Sequence, residues 1–117
     1  LVVIAIIGIL ASVVLTSLSA SREKAMDAKY KTTLASARAQ AEIYYSDKTN
    51  YTGICNATSG VYGLLDIKGT MSSGACTSTD LAWAMSGQLS GTNKHWCVDS
   101  TGNSTSTAAA ATTTKCQ

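Results

Sequence analysis

LVVIAIIGILASVVLTSL, residues 1–18, decides how the rest of the chain is read. It carries no charge, and Gly8, Ser12, Thr16 and Ser17 interrupt an otherwise aliphatic and alanine run. Wound as a helix at about 1.5 Å per residue, it covers most of the ~30 Å hydrocarbon core of a bilayer. A removable secretory signal would show basic residues in front, a shorter apolar region and a small-residue cleavage site. Here no basic residue precedes the run, and residues 19–46, SASREKAMDAKYKTTLASARAQAEIYYS, hold neither Pro nor Gly and are rich in Ala, Lys and Arg. The expectation is one retained helix over residues 1–47, its first eighteen residues suited to a membrane and the rest amphipathic.

Beyond Leu18, winding at 100° per residue separates two faces. Met26, Tyr30, Thr33, Leu34, Ala37, Ala41 and Tyr44 share one stripe, wide enough to dock a head. Leu18, Ser21, Ala25, Ala28, Thr32, Ala39 and Ile43 share another, made almost wholly of small side chains, which lets a second backbone approach closely. We expect it to meet neighbouring copies of the same helix. Lys24, Lys31, Arg38 and Glu42 project between the stripes, with Asp27 four residues before Lys31 for a weak exposed pair.

The 117 residues suit a single domain, and the 70 that follow residue 47 form a head too small to bury much core unaided. Its staples are Cys55, Cys76, Cys97 and Cys116, with no CxxC pair among them. An even count, wide spacing and a membrane-directed chain favour disulfides formed outside the cytosol over a zinc site, which usually brings short-spaced pairs or His ligands. Three connectivities are possible. The sequential one, Cys55 with Cys76 and Cys97 with Cys116, closes short loops and is preferred, each bridge contributing up to ~3 kcal/mol. A net charge of +2 is too slight to imply a nucleic-acid or acidic partner, and nothing about partners follows from it.

Within the head, Ser46 to Gly53 (SDKTNYTG) has the composition that ends a helix and makes a turn, with Tyr44, Tyr45 and Tyr51 packing that exit against the helix. A ladder of such rings along a filament is the alternative, electron-carrying reading of the tyrosines. Residues 48–79 are expected as a loop region, although VYGLLDIKG (61–69) also suits a turn or two of helix or a strand. An antiparallel meander is expected over 80–117. Leu81, Trp83 and Met85 would lie on one side of a half-buried strand, and a Gly91–Asn93 turn would lead into Lys94–Ser100, where Trp96 and Val98 alternate with His95, Cys97 and Asp99. After a Thr101–Asn103 turn, the Ser/Thr/Ala-rich tail from Ser104 to Gln117 can supply a third strand before Cys116 pins it. The fold class is α+β, a long helix packed on a small antiparallel sheet.

Catalytic patterns are weak. His95, Cys97 and Asp99 share one strand face, but a triad needs Cys97 free, so His95 reads as an exposed or turn-proximal histidine. No carboxylates are spaced as metal ligands or as an acid/base pair, and no phosphate-binding Gly-rich loop occurs, so neither catalytic residue, metal nor cofactor is expected. Asn50, Asn56 and Asn103 head N-x-[ST] triplets, which are frequent by chance in a Ser/Thr-rich chain.

The run LVVIAIIGILASVVLTSL followed directly by a charged Ala-rich helix, the YYSDKTNY exit and the late WCVDSTGNS segment closely resemble the bacterial type IV pilins. The apolar helix is shared with the pseudopilins of type II secretion. The N-terminal third carries the likeness, Trp96–Ser104 more loosely, and Gly53–Thr79 holds no distinctive motif. The resemblance implies a prepilin matured by a dedicated peptidase, methylated, held in the inner membrane and lifted by assembly machinery into a homopolymeric helical filament. Leu1, Val2, Val3, Ile4, Ile6, Ile7, Ile9, Leu10, Val13, Val14, Leu15 and Leu18 would form its core, and the Cys97–Cys116 span would match a disulfide-bounded surface loop. Pilins open with an aromatic residue, a few apolar residues and a glutamate ahead of this run. The present sequence starts at Leu1, inside it, and those residues are expected to precede Leu1, so the glutamate's docking role has no residue here. The helix-interrupting Pro of many pilins is also missing, and local melting is expected near Gly8 instead.

The function expected is therefore a structural pilus subunit serving adhesion, surface motility or DNA uptake, with no enzymatic role. A pseudopilin driving protein export is the alternative. Many major pseudopilins carry a C-terminal calcium-binding loop and lack disulfides, whereas Ser100–Gln117 contains no carboxylate.

Overall fold

Helix α1 runs unbroken from Val2 to Lys48, through Gly8, in a computed structural model that describes every residue except Ser72 and Gly91, and only the backbone of Lys68 and Thr70. With no Pro and no Gly after Gly8, nothing in the sequence interrupts its hydrogen-bond ladder. It stops where Thr49 turns into the left-handed region (φ 61°) and returns its N–H to the Tyr45 carbonyl at 2.7 Å. The molecule is 70 Å long and 25 by 19 Å across, its length set by this one helix.

The head packs on the second half of α1. Two short helices, α2 (Val61–Leu64) and α3 (Ile67–Thr70), precede four strands, β1 (Ala75–Ser78), β2 (Trp83–Gln88), β3 (His95–Asp99) and β4 (Ser104–Thr107). The strands form one sheet in sequence order, antiparallel throughout. The fold is thus α+β, with a long helix on an antiparallel sheet and with disulfides joining Cys55 to Cys76 and Cys97 to Cys116.

Tyr30, Leu34, Ala37 and Ala41 of α1 meet Trp83, Met85 and Val98 of the sheet, and Tyr51, Ile54, Val61, Tyr62, Ile67 and Met71 close the side. Ala37 and Ala41 are fully buried because their small side chains let the head approach the helix backbone. Gly87 does the same for the sheet, since a Cβ there would lie 2.1 Å from the Met71 sulfur. Gly63 is less forgiving, because its neighbour is backbone. A Cβ on it would stand 2.2 Å from the Ala57 carbonyl oxygen, a backbone atom with no rotamer in which to escape. Gly63→Ala is therefore expected to destabilise the head by about 2–4 kcal/mol, read as a lowered unfolding midpoint, while Gly87→Ala costs less because Met71 can move.

The two bridges staple opposite faces of the sheet. Cys76 pairs across from Met85 on the face toward α1, whereas Cys97 pairs across from Ser86 on the far face. Cys55–Cys76 thus ties the α2–α3 layer beneath the sheet, and Cys97–Cys116 ties the C-terminal tail above it. That tail is a third layer. Its first residues, Ser104–Thr107, are β4, the strand expected of it; beyond Thr107 it runs over the sheet without adding another, its Ala111 N–H donating to Ser86 Oγ at 2.8 Å and Thr77 Oγ1 donating to the Ala111 carbonyl at 3.3 Å.

Several expectations change. Leu81 does not share a face with Trp83 and Met85; it sits before β2 and is 82% exposed, because the chain bends there to bring Thr79 N–H onto the Ala82 carbonyl. The sheet begins at Ala75, inside the stretch read as loop, and has a fourth strand: Ala75-Cys76-Thr77-Ser78 is small and polar, with no apolar alternation to announce it. VYGLLDIKG forms α2 and α3, one turn each. Met26 is 46% exposed and not part of the packing, since the head ends beside Asp27, one residue nearer its centre. The Gly91–Asn93 turn lies outside the described residues at Gly91; Thr92 and Asn93 are bends.

Candidate functional site

The first half of α1 packs against none of the other described elements. From Val2 to Leu18 the large aliphatic side chains are between 52% (Ile6) and 73% (Val2) exposed, an apolar surface no soluble monomer ordinarily leaves open. The helix is long and apolar enough to cross a membrane. Ile7, Leu10, Ala11, Val14 and Leu15 line a shallow apolar groove along it. Ser12 and Thr16 do not break this character, because each hydroxyl donates back to a carbonyl three or four residues earlier in the helix.

Past Leu18 the small-residue stripe of Ser21, Ala25, Ala28, Thr32, Ala39 and Ile43 is exposed along its whole length, on the side away from the head. Of the stripe expected to dock the head, Tyr30, Leu34, Ala37 and Ala41 are buried, and Thr33 and Tyr44 half-buried. The Tyr44 hydroxyl donates to the Thr52 carbonyl at 2.7 Å and the Tyr45 and Tyr51 rings lie 4.8 Å apart, so the three tyrosines fasten the helix exit. Tyr51 also donates to Glu42 Oε1 at 3.1 Å; burial first, and that carboxylate second, push its hydroxyl pKa up.

A row of polar contacts along one flank of α1 was not expected. Asp27 and Lys31 do not pair with each other. The Asp27 carboxylate accepts the Ser90 N–H at 2.6 Å, and the Lys31 ammonium lies 4.6 Å from the centre of the Trp96 ring. Arg38 donates to the Asn103 carbonyl at 2.6 Å and to Ser104 Oγ at 3.1 Å. The signal was available in the spacing, since residues 27, 31 and 38 fall on one side of a helix at 3.6 residues per turn.

On the far face of the sheet, His95 is turn-proximal, opening β3 directly after the β2–β3 turn, but not exposed: it is 9% accessible and pairs with Thr107 of β4, whose hydroxyl donates to its carbonyl. Cys97 is bridged to Cys116, so its sulfur is not free to act as a nucleophile. Asp99 is fully buried and its carboxylate is occupied. Oδ1 accepts the Thr101 N–H at 2.9 Å, the Thr101 hydroxyl at 2.6 Å and the Asn103 N–H at 3.2 Å; Oδ2 accepts the Asn103 amide at 3.3 Å and the Cys116 N–H at 2.9 Å. Burial alone raises a carboxyl pKa, but these donors outweigh it and hold Asp99 below the usual carboxylate range. The group works as a clasp joining the β3–β4 turn to the end of the tail. The run Asp-Ser-Thr-Gly-Asn carried the turn part of this signal, since Asp caps such turns, but not the reach to Cys116.

Each triplet asparagine is engaged locally. Asn50 Oδ1 accepts the Thr52 N–H, Asn56 Oδ1 accepts those of Thr58 and Ser59, and the Asn103 amide donates to Asp99. No protein-family model, no characterised protein and no solved structure matches the chain.

Proposed function

We propose that this chain is a structural subunit of a helical filament of the type IV pilus kind. It is held in the bacterial inner membrane by the apolar half of α1 before assembly and displayed outside the cell afterwards. The observation that carries the reading is the bare Val2–Leu18 segment, rigidly continuous with a helix that holds a disulfide-stapled head at its other end. Such a surface must be covered by lipid or by copies of itself. Between helices already out of water, close packing rather than water exclusion sets the gain, and the exposed small-residue stripe permits that close approach. A prepilin peptidase and inner-membrane assembly machinery are the partners this role requires, and the function is mechanical: adhesion, surface motility or DNA uptake.

The pseudopilin reading is disfavoured by one feature. A calcium loop needs carboxylates open to a cation, yet Ser100–Gln117 has none, and both oxygens of neighbouring Asp99 face hydrogen-bond donors. Sheared surface material, imaged by negative stain and with its main protein sequenced from the N-terminus, tests the choice. Thin filaments of this chain support the pilus; their absence, together with loss of protein export on deletion, supports the pseudopilin. Within the cell envelope, Ala25→Cys or Ala39→Cys is expected to give a ladder of cross-linked dimers and multimers under oxidation, and purely monomeric product would contradict the role given to the stripe.

A further inference from the structure

We propose that the end of the head nearest the apolar segment is a binding surface for anionic phospholipid headgroups; this rests on the reading of Leu1–Leu18 as a membrane span. The overall charge is only +2, but it is unevenly placed. Arg22, Lys24, Lys29 and Lys31 follow the apolar run on α1. Lys94 joins them from the β2–β3 turn, which the Ser90–Asp27 hydrogen bond fastens at this level of the helix. Five of the chain's nine cations gather here against two of its seven carboxylates, Glu23 and Asp27, leaving the rest of the molecule with a slight negative excess.

The geometry suits a bilayer surface. At 1.5 Å per residue Arg22 and Lys24 stand about 6 and 9 Å beyond Leu18, within reach of a headgroup layer roughly 5–8 Å thick. Lys29 follows within about a Debye length of that layer, and Lys31 stands about 3 Å farther along the helix. Cα–Cβ bonds tilt toward a helix N-terminus, so the α1 cations lean toward the membrane rather than away from it. They flank the face away from the head, since at 100° per residue Arg22 and Lys29 fall on one side of the small-residue stripe and Lys24 and Lys31 on the other. The Asp27 charge is turned to the Ser90 N–H, and Arg22, Lys24, Lys29 and Lys94 are exposed and form no salt bridge among the described residues. Cations placed next to an anionic leaflet attract it about fivefold each. These cations would hold an inserted subunit at fixed depth, with its head clear of the membrane.

The test is to reconstitute the full chain in nanodiscs of equal phosphatidylglycerol and phosphatidylcholine, extract it gently, and count retained lipids by native mass spectrometry. Phosphatidylglycerol should be retained about fivefold or more over phosphatidylcholine, and the preference should collapse in an R22Q/K24Q/K29Q variant. In that variant insertion is checked by resistance to alkaline extraction, and the head by intact disulfides. Lys94→Gln, which leaves α1 untouched, should lower the preference by itself. Equal retention of the two lipids by the inserted native chain, or an undiminished preference in the triple variant, overturns the proposal while leaving the membrane span standing. A chain that fails to insert at all overturns both.

Discussion

On the filament role proposed above, changing Ile7 to Lys is expected to abolish filaments while the head remains folded. Ile7 lines the apolar groove with Leu10, Ala11, Val14 and Leu15, 59% exposed and with no contact to the head. A lysine at the middle of a membrane span costs about 2.5–3.5 kcal/mol at insertion, and in a bundle of apolar helices it has no partner charge to repay its lost hydration. The penalty recurs at every subunit, so even a moderate cost per copy prevents a long polymer. Because Asp27, the first α1 residue bound to the head, lies 20 residues or about 30 Å further along, both disulfides and the near-ultraviolet dichroism of Trp83 and Trp96 should be unchanged. Electron microscopy of sheared material reads the outcome, with Val14→Lys as a second position on the same groove. Normal filaments from Ile7→Lys would contradict the assembly role of this segment.

The second large effect belongs to Asp99. Replacing it with Ala leaves the N–H groups of Thr101, Asn103 and Cys116 without their acceptor and is expected to cost about 3 kcal/mol, since hydrogen bonds to a charged, buried acceptor are the strong ones and part of the loss is made good by water at the exposed turn. For a head of this size that corresponds to an unfolding midpoint lower by roughly 12–24 °C. The tail, still tied by Cys97–Cys116, should loosen first and become open to proteolysis between Thr107 and Cys116. Acid acts on the same clasp. With its folded pKa depressed, Asp99 contributes stability that is complete above its unfolded pKa near 4 and lost as pH falls through the lower folded value. Thermal melts should therefore shift downward below about pH 4 in the native chain, and that shift should shrink in Asp99→Ala.

Particular residues show where reading along the chain worked and where it stopped. The helix could be read because its cause is local: a long span free of Pro, and of Gly beyond Gly8, with Thr49 and Asn50 at its end, fixes α1 before any packing is considered. The buried stripe of Tyr30, Leu34, Ala37 and Ala41 follows from the same periodicity. The cysteine pairing was constrained by loop length, and the sheet by turn residues at 101–103. Strand β1 escaped because Ala, Cys, Thr and Ser hold no apolar alternation, and its pairing with β2 supplies what its side chains do not.

What the sequence determined by itself is a rod whose first half is greasy and whose second half carries a head on one face, since helix propensity and apolar periodicity act over a few residues at a time. Tertiary structure alone decided that β3 is covered on both sides. Alternation says which residues share a face but not what lies against it, and the cover over Cys97 and Asp99 is an alanine and threonine tail with no period of its own, drawn back by one disulfide and one carboxylate.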